Sequence, residues 1–95
     1  MILHVTDAKH ICAYQLEISF NNGRTGIADL SDSLEGEIFS PLKNDKQFSD
    51  FCVDDELETI VWKNGADLAP EYLYFQAFKH EPELQPLFKQ WGYRS

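Results

Sequence analysis

The most restrictive feature of this sequence is a strict alternation of apolar and polar residues over positions 14–20. A period of two is typical of a strand with one buried face and one solvated face. The apolar positions are Tyr14, Leu16, Ile18 and Phe20. Asn21-Asn22-Gly23 follows and tolerates the positive φ angles of a tight turn, so the pattern predicts an antiparallel hairpin with residues 24–30 as the return strand.

A second hairpin is predicted from residues 51–53 and 57–62, which are rich in β-branched and aromatic side chains and flank the acidic residues 54–56. Apolar side chains on both faces of residues 57–62 indicate a strand that is covered on both sides and lies centrally in the sheet. A short apolar stretch at residues 2–5 is interpreted as a first strand, followed by a polar break at 6–9. Together these segments predict a small, mostly antiparallel sheet of about five strands.

One main helix is predicted to begin at Pro70, which suits the first helical position because it lacks an N–H group. Its apolar stripe comprises Leu73, Tyr74, Ala77 and Phe78. Between the hairpins, Asn44 followed by Gln47 resembles a capping box and predicts a helical turn that buries Phe48 and Phe51. A final short helix is expected from Pro86 to Gly92. The predicted class is α+β, with the sheet packed against one main helix and a short C-terminal helical tail.

Charge restricts the class of partner. The 95-residue chain carries 16 acidic and 8 basic side chains, for a net charge of -8. Direct nucleic-acid binding is therefore disfavoured, because it normally requires clustered Lys and Arg. Two acidic runs contain no basic residue, and they comprise Asp29, Asp32, Glu35 and Glu37, and then Asp50, Asp54, Asp55, Glu56 and Glu58. They are interpreted either as a solvated face or as a surface that attracts a basic protein partner.

No motif for metal binding, cofactor binding or catalysis is found, so the chain is expected to be neither a metalloprotein nor an enzyme. His10 and Cys12 do not have a common zinc-ligand spacing. Cys12 and Cys52 are expected to be reduced and buried. No signal peptide and no apolar run of about 18 residues is present, which predicts a cytoplasmic protein that does not enter a membrane.

Two segments are candidates for a role beyond packing. The first is the corner before the main helix, where a sharp turn, a carboxylate and aromatic residues combine; its candidate residues are Trp62, Asn64, Gly65, Asp67, Glu71 and Tyr72. There Asp67 either accepts N–H bonds at the start of the helix or lines a surface groove with Trp62 and Tyr72. The second is the aromatic tail, residues 80–95, whose Leu87, Phe88 and Trp91 either cover the chain's own sheet or form an interface, for example in a homodimer.

The run from Trp62 to Tyr74, WKNGADLAPEYLY, resembles the bacterial domain-of-unknown-function family 2442. Val5-Thr6-Asp7-Ala8 and the turn Phe20-Asn21-Asn22-Gly23-Arg24 are similar to earlier landmarks of that family, so the likeness covers residues 1–79 as an α+β domain. The resemblance implies no catalytic residue. It implies that the gene lies beside a gene for another small protein, in an arrangement like that of a toxin and antitoxin pair. It also implies that longer relatives carry an added helix-turn-helix segment.

These observations predict a protein-protein interaction domain that restrains a small basic partner in an antitoxin-like manner, the partner being the product of a neighbouring gene. The alternatives are an accessory transcriptional or nucleic-acid-binding module that acts as an oligomer and, third, an enzyme at the Trp62 to Tyr72 corner. The acidic surface favours the first prediction.

Overall fold

Five strands and three helices make up the chain in the computed structural model, which describes residues 2–93. The strands are β1 Val5–Cys12, β2 Gln15–Phe20, β3 Thr25–Asp29, β4 Phe51–Asp54 and β5 Thr59–Trp62. The helices are α1 Asp45–Phe48, α2 Pro70–Phe78 and α3 Gln85–Trp91, with 3-10 turns at Ser31–Ser33, Ser40–Lys43 and Pro82–Leu84. All strand pairs are antiparallel, and the predicted α+β class is confirmed.

The strands are divided between two sheets, one with the order β1-β2-β3 and one containing β4 and β5. Both predicted hairpins are confirmed, and Gly23 in the first turn has a φ of +87°. The expectation that β5 lies centrally in the sheet is wrong. After β5 the chain turns back on itself, so that Val61 forms an isolated bridge with Asp67 and the free side of β5 is covered by its own loop.

The prediction for the first strand is also wrong, because β1 begins at Val5 and runs through the expected polar break. Val5 is its one buried residue and six of its eight residues are exposed, among them Lys9, which lies opposite Glu17 with 3.4 Å between ammonium and carboxylate. Pairing with β2 thus holds a strand in place although most of its residues are polar or solvated. At its start, the Val5 N–H group donates to the Glu58 carbonyl and joins β1 to the second sheet.

Helix α2 covers the core face of the three-stranded sheet at very close range. Leu16, Ile18 and Phe20 are buried, as the alternation predicted, and Phe20 lies edge-on to Tyr74 of α2 with 5.0 Å between ring centroids. A Cβ atom at position 26 would lie only 2.6 Å from Cε1 of Phe78, so glycine is required there by the approach of the helix. Arg24 extends over the same Phe78 ring, 4.5 Å from its centroid, and donates a hydrogen bond to Glu81.

The C-terminal tail is part of the same hydrophobic core. Helix α3 ends at Trp91 and is capped by Gly92, which has a φ of +89° and is the predicted end of the tail helix. The Phe88 ring is 1% exposed and lies edge-on to Phe75 at 5.1 Å, while Leu87 and Trp91 are half-buried against the core. The alternative in which Phe88 serves an interface is therefore wrong, because its surface is already covered by its own chain.

The segment between the hairpins is held by a predicted cap. Asn44 accepts hydrogen bonds from the N–H groups of Lys46 and Gln47 at the start of α1, and Phe48 is fully buried. The cysteines differ from expectation: Cys12 and Cys52 are free, as predicted, but both are exposed because they lie on the solvent side of their strands. Within residues 2–93, no helix is long and apolar enough to cross a membrane.

Candidate functional site

The first candidate site is the corner that connects β5 to α2, and its aromatic residue is buried. The Trp62 side chain is 2% exposed, and its indole Nε1 donates to the Phe48 carbonyl over 2.7 Å. An indole in this position has its one donor satisfied inside the core. The prediction that Trp62 lines a surface groove is therefore wrong, and the residue serves to pack the β5 strand against α1.

Asn64 and Gly65 form the turn of this corner. The Asn64 side-chain oxygen accepts from the Ala66 N–H group at 3.1 Å, and its amide nitrogen donates to the Ile38 carbonyl at 2.8 Å. Gly65 has a φ of +91°, a left-handed conformation that favours glycine. One asparagine thus closes the turn and ties it to the loop before α1.

The remaining corner residues do not form a common site with Trp62. Asp67 is exposed, and α2 is preceded by Ala69 without a side-chain cap, so the predicted capping role of Asp67 is wrong. Pro70 at the first helical position leaves one donor fewer to satisfy. The Tyr72 hydroxyl pairs with the Ser33 hydroxyl at 2.6 Å, and Glu71 is half-buried in the first turn of α2.

These contacts predict a clear loss of stability for one substitution at this corner and almost no change for another. Asn64→Ala removes both hydrogen bonds of the turn and should lower the free energy of unfolding by about 1–2 kcal/mol. Asp67→Asn changes an exposed side chain that caps no helix, and the change should stay within about 0.5 kcal/mol. Urea unfolding followed by circular dichroism measures both; a loss at Asp67 as large as that at Asn64 would restore the capping role.

The second candidate site is the acidic partner face, defined as Asp50, Asp54, Asp55, Glu56 and Glu58. Asp54, Asp55, Glu56 and Glu58 lie at the turn between β4 and β5, whereas Asp50 precedes β4 at the other end of the hairpin. Some members have structural contacts. Asp54 accepts from the N–H groups of Glu56 and Leu57 at 2.8 and 2.9 Å, which closes the turn. Asp50 pairs with Lys63 at 3.0 Å, and Glu58 pairs with His4.

Asp55 and Glu56 remain as the free carboxylates of this face. Both are exposed, and no basic residue among positions 2–93 forms an ion pair with them. Beside them lies an open pocket of about 300 Å³, whose lining includes His4, Thr6, Asn21, Asp54, Asp55 and Glu58. At this turn, the carboxylates of Asp55 and Glu56 are therefore available to a cation from another molecule.

A further depression was not predicted from the sequence. It has a volume of about 330 Å³ and is lined by Leu42, Gln47, Asp50, Lys63 and Asn64. Its lining combines residues of the segment 42–50 with the turn after β5, so only the folded chain brings them together. The described part of the chain also contains no group of three or more His, Cys, Asp or Glu residues arranged to hold a metal ion.

The aromatic tail packs against helix α2 up to Tyr93. Tyr93 lies against Phe75 at 5.2 Å between ring centroids and edge-on to Tyr72 at 5.7 Å. Burial raises the pKa of the Tyr93 phenol above its usual range, so the ring stays neutral at physiological pH. Together with Phe88, these contacts assign the tail to the core.

Comparison with known proteins places this fold in a family. The solved structure of a Nitrosomonas europaea protein, described as a "Putative DNA Binding Protein", matches 99% of this chain with a TM-score of 0.75 and 14% sequence identity. The chain covers 63% of that protein's length, and at this identity the likeness concerns the fold. The comparison with curated proteins gives no match. Residues 5–79 match the DUF2442 family, proteins of unknown function, and the chain belongs to that family.

Proposed function

We propose that this domain binds a small basic protein and restrains it in an antitoxin-like manner. The observation that carries the proposal is the pair of free carboxylates, Asp55 and Glu56, on an acidic turn of a chain whose net charge is -8. Charges at the rim of an interface steer the encounter of two proteins and raise the association rate. The product of a neighbouring gene is the proposed partner.

The experiment is titration calorimetry with that gene product at micromolar concentration and low salt. We expect a complex whose affinity falls as salt rises, since the Debye length shortens to about 10 Å at 0.1 M. The double variant Asp55→Asn, Glu56→Gln should bind about 2- to 30-fold more weakly, which corresponds to two exposed ion pairs of about 0.2–1 kcal/mol each.

The matched control neutralises two acids outside this face, Asp7→Asn and Glu83→Gln, both on exposed side chains. It removes the same net charge, so it separates a local contact from a general effect of charge. Equal weakening by the two double variants would show that the acidic partner face is not the contact. Absence of any complex with the unmodified protein would end the proposal.

A second candidate function is an accessory module in nucleic-acid binding, acting as an oligomer. The observation in its favour is the description of the Nitrosomonas europaea protein, whose fold this chain shares. Gel shifts with random DNA and with DNA from upstream of the gene decide between the two candidates. We expect no shift by this chain, since its charge repels a phosphate backbone.

We propose no catalytic role. The enzyme hypothesis required a groove at the Trp62 to Tyr72 corner, but the Trp62 indole is buried and bonded, and the Tyr72 hydroxyl is paired with Ser33. Asp67 is left alone on the surface there. A catalytic carboxylate normally needs a partner or a water-excluding environment to adjust its pKa.

A further inference from the structure

The outer edge of β3 is the strongest unexplained feature of the molecule. β3 is the last strand of its sheet, and no fourth strand from the described residues lies beside it. The hydrogen bonds that flank the ladder run from Phe20 N–H to the Arg24 carbonyl and from Leu30 N–H to the Tyr14 carbonyl. The even-numbered residues of β3 therefore bond to β2, because such bonds alternate along an antiparallel pair.

It follows that the main-chain groups of the odd-numbered residues Thr25, Ile27 and Asp29 point away from the sheet. Within residues 2–93, no hydrogen bond reaches their N–H or C=O groups. All three residues are exposed, and Ile27 retains 50% of its accessible surface. Helix α2 packs at Gly26, on the face of the sheet opposite to the exposed Ile27 side chain.

Exposed edges of this kind are templates for pairing with another chain, and most proteins protect them with lysine, proline or a bulge. β3 has none of these protections: its sequence is TGIAD, with its one charge at the end. Such an edge has donors and acceptors at the spacing of a strand and an apolar side chain at its centre. These are the features used when an extended peptide adds a strand to a sheet.

The charge around the edge indicates the chemistry of the added strand. The Ser31 N–H group bonds to the Asp29 carboxylate and holds its pKa below the usual range, so this end of the edge stays negative. The following acids are all exposed: Asp32, Glu35 and Glu37. Arg24, which precedes β3, is engaged by Glu81, and Lys79 is a cation whose charge favours the ionised form of Asp29.

We propose that an extended, basic segment of the partner pairs antiparallel with β3 as a fourth strand, an inference that rests on the proposed function. All strand pairs in this protein are antiparallel, and that arrangement is slightly the more stable. It places the first residues of the segment, rich in Lys or Arg, beside Asp29, and a β-branched residue opposite Ile27. A second copy of this chain carries the same charge of -8, which opposes self-pairing.

Amide hydrogen exchange measured by NMR tests the proposal residue by residue. The probe is a synthetic peptide of alternating lysine and valine, added to the full chain at about ten times its dissociation constant. The amides of Thr25, Ile27 and Asp29 should then exchange about tenfold more slowly. The amides of Gly26 and Ala28 should not change, because they already bond to β2. Unchanged exchange at the three odd-numbered amides would overturn the proposal.

Two substitutions at one position form the matched control. Ile27→Pro removes an N–H group that points out of the ladder, so the sheet can form while strand addition is blocked. Ile27→Thr keeps that N–H group and the β-branched shape, and should retain the protection of Thr25 and Asp29. A protected Ala28 amide shows that the proline variant is folded; peptide binding by it at the original affinity would overturn the proposal. If the Ile27→Pro variant does not fold, the exchange rates of the Thr25, Ile27 and Asp29 amides in the unmodified chain decide whether the proposal stands.

The outcomes separate this inference from the proposed function. If the neighbouring gene product binds but leaves the three amides exchangeable, edge pairing is overturned and the proposed function stands. If that product does not bind but the peptide protects the edge, the proposed partner is lost and the docking of a basic strand stands. Protection that rises with protein concentration in the absence of peptide identifies a second copy as the occupant and overturns the proposal.

Discussion

Phe88→Ala is expected to lower the free energy of unfolding by about 3–5 kcal/mol, a large part of the roughly 5–15 kcal/mol that stabilises a typical domain. The ring is 1% exposed and contacts Phe75, Tyr74 and Trp91, so its removal leaves a cavity between α2 and α3. Chemical unfolding in urea measures the loss. The denaturant midpoint should shift while the slope stays constant.

Lys89→Ala is the control on the same helix, since Lys89 is exposed and its truncation should change stability by no more than about 0.5 kcal/mol. The result bears on the extent of the folded unit. The family match ends at residue 79, whereas the core includes Phe88. If Phe88→Ala were as mild as Lys89→Ala, the tail would be an appendage and the division at residue 79 would describe the folded unit.

Trp62→Ala is the second substitution with a large expected effect, also about 3–5 kcal/mol. It removes a buried indole that lies between Phe48 and Phe51 and leaves the Phe48 carbonyl without its donor. Thermal unfolding followed by circular dichroism checks the loss. For a domain of this size, 1 kcal/mol corresponds to roughly 4–8 °C in Tm, so the shift is readily measured.

Trp62→Phe separates packing from hydrogen bonding at this position. It keeps most of the apolar volume but removes the indole N–H group, and we expect a loss of about 1–3 kcal/mol. Binding to the basic partner should be unchanged for any Trp62 variant that remains folded, because the side chain is buried. A folded Trp62→Phe variant with impaired binding would contradict the structural role and return Trp62 to the candidate site.

Much of the fold could be predicted because its signals are local. The alternation that ends at Phe20, the turn at Gly23, the cap at Asn44 and the proline at position 70 each specify the conformation of a few neighbouring residues. The structure confirms all of them. In such cases, sequence and conformation are linked by the geometry of one turn or one strand.

The errors concern features that depend on distant residues. The sequence does not indicate a strand at Asp7 and Lys9, because most residues of β1 are exposed and only pairing with β2 defines the strand. The role of Trp62 was misjudged because its hydrogen-bond acceptor, Phe48, lies 14 positions earlier. Asp67 was expected to cap α2, but the entry to the helix is closed by the Asn64 turn and Pro70 instead. No local pattern contains this information.

The candidate sites also differ in whether a local pattern or only the complete fold indicates them. The exposure of Asp55 and Glu56 could be predicted, since they lie in a turn between two strands, where side chains are solvated. The open edge of β3 could not, because an edge is defined by which strands are absent beside it. Only the strand order of residues 2–93 shows that no strand from this part of the chain lies beside Ile27 on its outer side.

The two exposed thiols have a practical consequence. Cys12 ends β1 in the three-stranded sheet, and Cys52 lies on β4 in the other sheet, so each sheet carries one natural attachment point for a spectroscopic label. A pair of paramagnetic labels on the unmodified chain would report the separation of the sheets directly. Comparing that separation before and after partner binding would show whether the junction at Val5 and Glu58 acts as a rigid joint or as a hinge.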